Sequence, residues 1–275
     1  MLHKTPSLTA LFLLVLTTLQ SALAEGMMLF DAHLHYNADD KAQFEPEAII
    51  DLLGENRVEH AVITSRPPQL ALQLHEKAPE RIVPILGVYR SSLDKPTWMH
   101  NPKLPSLVQQ ALTDRRWRGI GELHLFALDR RSPVFLRIVE LAQTHELPLL
   151  LHCDPAVIDA VFEYAPGATV IWAHAGAYPF VPLLRDYLER YPGLHIDLSV
   201  RDERIAPGGE LDPEWEWILS EFADRFLVGV DTYRTRRWEN YPQVAAKIRN
   251  WLQQLPESAA NAIAKDNGRR LFNTD

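Results

Sequence analysis

Residues 28–35, Met28-Leu29-Phe30-Asp31-Ala32-His33-Leu34-His35, decide how the chain is read. They form a short apolar run that ends in ionisable residues. The glycine-rich phosphate turn that usually follows the first strand of an open, doubly wound sheet is missing there. Similar short runs recur at 60–65, 82–89, 119–125, 148–153, 169–176, 194–199 and 226–231. Amphipathic stretches lie between them at 46–53, 104–112, 133–145, 155–164, 179–191, 213–222 and 241–252. That alternation is the pattern of repeated βα units. Many of the amphipathic stretches carry Pro in their first turn, where its missing N–H costs nothing. Eight units in about 250 residues predict an α/β fold, a (β/α)8 TIM-type barrel forming one domain over 25–275, with the open sheet as the alternative. Stretches 201–213 and 232–241 are then loops after the seventh and eighth strands, on the face where such barrels build their sites.

Composition narrows the function. The chain is 47% hydrophobic and 23% charged, which suits one ordinary globular domain. A formal net charge of −8 leaves no excess of Lys and Arg to neutralise phosphates, so nucleic acid is not an expected partner. The first residues have three parts: His3 and Lys4, an apolar run over 8–19, then Ser21-Ala22-Leu23-Ala24. This is the build of a secretory signal peptide, and the apolar run is too short to cross a hydrocarbon core of roughly 30 Å. Residues 1–24 are therefore expected to be removed, leaving an exported protein, periplasmic or secreted, with no membrane contact. Cys153 is the only cysteine, so no intrachain disulfide can form; it is read as a small buried strand residue.

The chemistry lies in where ionisable residues fall. His33 and His35 end the first run, Glu122 and His124 the fourth, His152 the fifth, His174 the sixth and Asp231 the eighth. All occupy C-terminal strand ends, so five separate segments aim nitrogen or carboxylate groups at one rim. Convergent His with Asp or Glu is the usual way to hold a divalent metal. Residues two apart on a strand share a face, so His33 and His35 can reach one ion while Leu34 points to the wall. On the same count Asp31 shares their face, as support for the metal or as a buried structural carboxylate, and Asp197 carries the same two readings.

Six segments resemble the amidohydrolase superfamily, and more closely its amidohydrolase-related branch of metal-dependent lactonases and decarboxylases. They are FDAHLH, LLLHCD, WAHAG, IDLS, VGVDTYR and the near-terminal NGRRLF, and together they span nearly the whole mature chain. The resemblance implies that His33, His35, His152, His174 and Asp231 form the metal and catalytic centre. GIGELHLF is similar to the fourth-strand segment of TatD-like metal-dependent hydrolases, where the carboxylate bridges two metals; Glu122 takes that place, or else orients a ligand histidine. One ion or two stays open. Zn²⁺ suits the nitrogen and oxygen donors, with Mn²⁺ or Fe²⁺ as alternatives.

The resulting expectation is a metal-dependent hydrolase using metal-activated water on an amide, ester or lactone-type bond of a small molecule. Asp231 would shuttle the proton, and His174 would ligate the metal or polarise the substrate carbonyl. Non-oxidative decarboxylation, phosphoester hydrolysis and a non-catalytic metal-containing binding protein are the alternatives; the last predicts broken ligand positions, and none is broken here. His124, Arg201, Tyr233 and Arg234 are candidate substrate contacts, with a partly buried histidine or solvated surface as the plainer readings; Arg236 belongs with them. The other histidines and Asn267 are read as structural. A homo-oligomer is possible on the sequence. N-terminal sequencing of the exported protein is expected to begin at or near Glu25; a mature chain starting at Met1 removes the leader.

Overall fold

The computed structural model describes residues 26–274, so the leader expectation lies outside the described residues. Eight parallel strands alternate with eight helices of eight residues or more. The order is β1 (Leu29–His35), α1 (Pro46–Glu55), β2 (Val58–Thr64), α2 (Gln69–Lys77), β3 (Ile82–Pro84), α3 (Leu104–Ala111), β4 (Ile120–Leu125) and α4 (Pro133–Thr144). Then follow β5 (Leu149–Cys153), α5 (Pro155–Tyr164), β6 (Val170–Trp172), α6 (Val181–Arg190), β7 (Leu194–Asp197), α7 (Pro213–Glu221), β8 (Phe226–Leu227) and α8 (Tyr241–Leu252). Helix α2 is one that the sequence pattern did not single out. Short helical turns at Asp202–Ile205 and Arg236–Glu239 lie inside the two stretches expected as loops.

The strands pair as β1-β2-β3 and as β4-β5-β6-β7-β8, and two seams join the runs into a ring. At the first, Leu86 just past β3 bridges Ile120, with Leu86 N donating to Gly119 O (2.8 Å) and Gly121 N to Leu86 O (3.0 Å). At the second, Ala32 N donates to Val228 O (2.9 Å) and Asp231 N to His33 O (2.8 Å). Closure leaves no sheet edge exposed and makes the barrel. Three strands are shorter than their apolar runs, because the residues at their C-terminal ends leave the ladder to carry the site.

Two apolar layers follow from strand alternation. Phe30, Ala32, Val62, Val83, Ile85, Leu150, Ile171, Ala173 and Leu227 fill the barrel interior, with Phe272 from the closing helical segment beneath them. The larger layer, including Leu34, Ile63, Leu123, Leu151, Trp172 and Ile196, lies between strands and helices. Asp31 departs from the sequence expectation here. The β1–β2 register shifts between Asp31 and Leu34, and a one-residue slip reverses which face each side chain takes. Phe30 and Ala32 therefore point inward before the slip, and His33 and His35 after it. Asp31 turns instead toward α8, where Tyr241 donates to it at 2.7 Å. Its oxygens also accept His33 N (3.1 Å) and Val230 N (3.2 Å), so its role is to pin two strand ends.

Asn267 ties the closing segment to the barrel, donating to Ala223 O (2.7 Å) and Phe226 O (2.8 Å), in line with a packing role. His195 on β7 is buried, and that burial, with Arg225 and Arg270 nearby, pushes its pKa down to about 3. The folded state then keeps His195 neutral below pH 6.5, where the unfolded chain takes up the proton. Its contribution to stability is complete above about pH 6.5 and is lost as pH falls toward 3. His195→Leu is expected to flatten the acid limb of the stability–pH curve relative to wild type, by on the order of 2–3 kcal/mol at pH 4. Urea titrations at pH 7 and pH 4 measure it, and parallel curves for the two proteins would contradict it.

Candidate metal centre

The C-terminal mouth of the barrel gathers the strand-end groups. His33 Nε2 and His35 Nε2 lie 3.3 Å apart. Asp231 Oδ1 is 3.2 Å from His35 Nε2 and 3.8 Å from His33 Nε2. Glu122 places Oε2 3.5 Å from His35 Nε2, and Oε1 3.4 Å from His174 Nε2 and 3.0 Å from His152 Nδ1. Ligands each about 2.0–2.2 Å from one ion sit about 3.0–3.6 Å from one another, so most of these separations are edges of a coordination polyhedron. His33, His35, Glu122, His174 and Asp231 are all buried, while the His152 side chain stays 36% exposed and joins the group through Glu122.

The donor set can be tested for fit to a cation. Asp231 Oδ1 is buried and accepts no hydrogen bond. A buried anionic oxygen without a donor calls for a cation. His33 and His35 turn ring nitrogens toward each other, an arrangement that a shared ion or proton resolves. The residues therefore fit a divalent metal.

Asp197 sets the tautomers. Its Oδ2 accepts the Nδ1 proton of His33 at 2.8 Å, which leaves His33 Nε2 facing the mouth. The same oxygen accepts the Ser199 hydroxyl at 2.6 Å, so Ser199 Oγ accepts from His174 Nδ1 at 2.8 Å and His174 Nε2 also faces inward. One carboxylate thus orients two imidazoles, one directly and one through a hydroxyl. A neutral His174 held this way presents a lone pair, which suits ligation; donation to a carbonyl would need the imidazolium. Gly229 leaves the room this requires, because a Cβ there would come within 2.9 Å of both Asp197 Oδ1 and His33 Cβ. Gly121 serves β4 similarly: at φ +149° it approaches Leu150 O so closely that a Cβ would lie at 2.5 Å. The β4–β5 register shifts at this point, and Glu122 and His124 turn inward after it.

The carboxylates create a strongly negative field. Burial opposes charge on His33, yet Asp231, Asp197 and Glu122 push its pKa up to about 10. Burial likewise opposes ionisation of Glu122, but the imidazoles of His124, His152, His174 and His33 hold it well below the ordinary carboxylate range. Asp231 is lowered against burial by His33 and His35, and Asp197, against burial, falls to about 2 beside His33. The proton His33 carries under these conditions is what a metal cation displaces.

The candidate substrate contacts separate into three settings. His124 faces the centre, its Nε2 3.5 Å from Glu122 Oε2 and its ring stacked on His152 at 4.3 Å, and burial pushes its pKa down to about 2. Arg201 gives its guanidinium to backbone, donating to His174 O and Gly176 O, both at 2.7 Å. Tyr233 and Arg234 are exposed at the rim, with Arg234 lying 5.4 Å from the Tyr233 ring, and Arg236 is exposed beside them. Three contributors escaped the sequence reading. Ser199 could have been suspected from its place two residues after Asp197 in IDLS. Arg237, which donates to Asp231 O at 2.6 Å, gave no signal within its arginine-rich stretch. Lys95, half-buried on the loop after β3, is lowered by burial while its charge interacts with Glu122 and Asp231.

A closed parallel barrel with a buried His/Glu/Asp cluster at its C-terminal mouth defines a metal-dependent hydrolase scaffold. The profile of the amidohydrolase family matches residues 107–274, more than half of the chain, and the chain belongs to that family. It is a hydrolase enzyme of a divalent-metal-dependent group. The profile of the TatD-related DNases matches residues 30–165. Among solved structures, a probable 2-pyrone-4,6-dicarboxylic acid hydrolase from Acinetobacter baumannii is 16% identical at TM-score 0.59, over 90% of this chain and 100% of that one. A putative 2-pyrone-4,6-dicarboxylic acid hydrolase from Pseudomonas putida is 15% identical at TM-score 0.60, over 90% and 98%. A TatD homologue from Escherichia coli is 16% identical at TM-score 0.63, over 89% and 98%. Identities this low speak for the fold alone. No curated protein matches the chain.

Asp197→Asn is expected to weaken divalent-metal affinity by about 10–100-fold, because the amide no longer holds both imidazole tautomers. Metal titration of the folded variant reads this directly, and native affinity would remove Asp197 from the role.

Proposed function

We propose that the chain hydrolyses an amide, ester or lactone-type bond of a small molecule at a centre formed by His33, His35, Glu122, His152, His174 and Asp231. The observation that carries this reading is Asp231 Oδ1, a buried carboxylate oxygen with no hydrogen-bond donor, beside the converging imidazole nitrogens. A divalent ion, with Zn²⁺ best suited to these donors and Mn²⁺ or Fe²⁺ as alternatives, would supply Lewis acidity for water and for a carbonyl oxygen. His33, His35 and His174 would hold it, with Glu122 and Asp231 neutralising its charge.

Asp231 is the group placed to move protons. It lies at the mouth, is kept ionised by His33 and His35, and is not consumed by a donor, so it can accept a proton from attacking water and pass it to the leaving group. His152 and His124, the less buried members, face the space a substrate would occupy. Enclosure of the other groups keeps bulk water from screening the charges that form during reaction. The leader read at residues 1–24 supports export, and we place the reaction in the periplasm or outside the cell.

Phosphoester hydrolysis is the second reading, supported by the TatD-related match over 30–165, which includes Glu122. The chain's net charge of −8 argues against a nucleic acid as that ester. A screen of metal-loaded protein against lactones, amides, esters, small phosphoesters and carboxylated aromatics, the last scored for CO₂ release, separates these chemistries. On the responding substrate, Asp231→Asn is expected to lower kcat by about 10²–10⁴-fold with the fold and metal content retained. Near-native turnover in that variant would exclude Asp231 as the proton shuttle.

A further inference from the structure

Two of the groups assigned to the cation, His174 and Asp231, sit on left-handed backbone: His174 at φ 60°, ψ 24° and Asp231 at φ 56°. Side chains with a Cβ avoid this region unless their surroundings impose it. Each of these residues ends a strand, and the left-handed turn takes its carbonyl out of the ladder while aiming its side chain across the mouth. Each carbonyl is met by an arginine. Arg201 donates from Nε to His174 O and from Nη2 to Gly176 O, both at 2.7 Å. Arg237 donates from Nε to Asp231 O at 2.6 Å and from Nη2 to Val230 O. Both use the same planar edge, and each grips two carbonyls at one turn.

We propose that Arg201 and Arg237 are positioning residues, backbone clamps that hold His174 and Asp231 in the left-handed conformations from which their side chains reach one cation. The proposal rests on the metal reading above and extends it to residues that touch neither ion nor substrate. A planar fork fixes two carbonyl directions at once, which a single ammonium cannot do. Arg237 is further fixed by the Tyr233 ring, 5.4 Å from its guanidinium.

Arginines fasten carbonyls elsewhere in this barrel, as Arg225 does with Leu194 O (2.7 Å) and Arg249 with Met27 O (2.9 Å). Those carbonyls belong to residues outside the left-handed region and away from the mouth. Arg225 therefore supplies the control for simple loss of a structural fastening.

The experiment measures Co²⁺ affinity, the visible absorption of the bound Co²⁺ and the thermal midpoint for wild type, Arg201→Gln, Arg237→Gln, the two corresponding Lys variants, Arg225→Gln and His35→Ala. Loss of either clamp is expected to weaken Co²⁺ binding by about 10–100-fold and to shift its absorption, as removal of outer-shell support does. The Lys variants, retaining one donor, should fall between, and they carry the test if a Gln variant does not fold. Arg225→Gln should lower the midpoint while keeping native affinity and spectrum. Clamp variants that bind Co²⁺ natively while His35→Ala loses it would overturn the clamps and leave the metal centre standing. Clamp variants that lose no more affinity than Arg225→Gln at equal loss of thermal midpoint would overturn them as well. Absence of Co²⁺ binding by wild type would overturn the metal reading, and the clamps with it.

Discussion

The contact between Asp197 Oδ2 and His33 Nδ1, 2.8 Å long and wholly buried, governs which atoms the barrel presents at its mouth. An imidazole has two nitrogens, and only a fixed acceptor behind one of them makes the other a dependable ligand. Through Ser199 the same carboxylate also orients His174. Its remaining capacity is spent on backbone, with Ser199 N donating to Oδ1 at 2.9 Å and His174 N to Oδ2 at 3.2 Å. A carboxylate satisfied this fully can stay ionised inside the protein.

Around that contact, the site is built from departures from regular strand geometry. A uniform β1 would send Asp31, His33 and His35 to one face; the register slip instead gives Asp31 to α8 and both histidines to the interior. In β4 the shift at Gly121 turns Glu122 inward, and in β6 and β8 left-handed turns carry His174 and Asp231 out of the ladder. Such departures persist only where neighbours over-determine them. Tyr241 on Asp31, the gap at Gly229 and the arginines on the two turns are those neighbours.

Electrostatics and packing point the same way. The interior below the site is apolar and closed by Phe272, so the charges are confined to one layer at the mouth. Three carboxylates there raise His33 while their own ionised forms are held by imidazoles, a balance that favours taking a cation over taking further protons. At the rim above, Arg234 and Tyr233 are exposed and free to meet a substrate, whereas the guanidiniums of Arg201 and Arg237 are turned to the backbone.

The barrel was legible in the sequence because strand and helix periods differ, and eight alternations of the two leave few architectures. Convergence of His33, His35, Glu122, His152, His174 and Asp231 was legible too, because a parallel barrel places every C-terminal strand end on one rim. What the sequence could not supply was the face taken by Asp31, the choice between support and structure for Asp197, and the engagement of Arg201 and Arg237. Each depends on a one-residue register slip or a single φ angle, which neighbouring elements impose and local composition does not encode. Period and position along a strand are properties of the chain alone; the direction of a side chain beyond a bulge or a left-handed turn exists only once the barrel has closed around it.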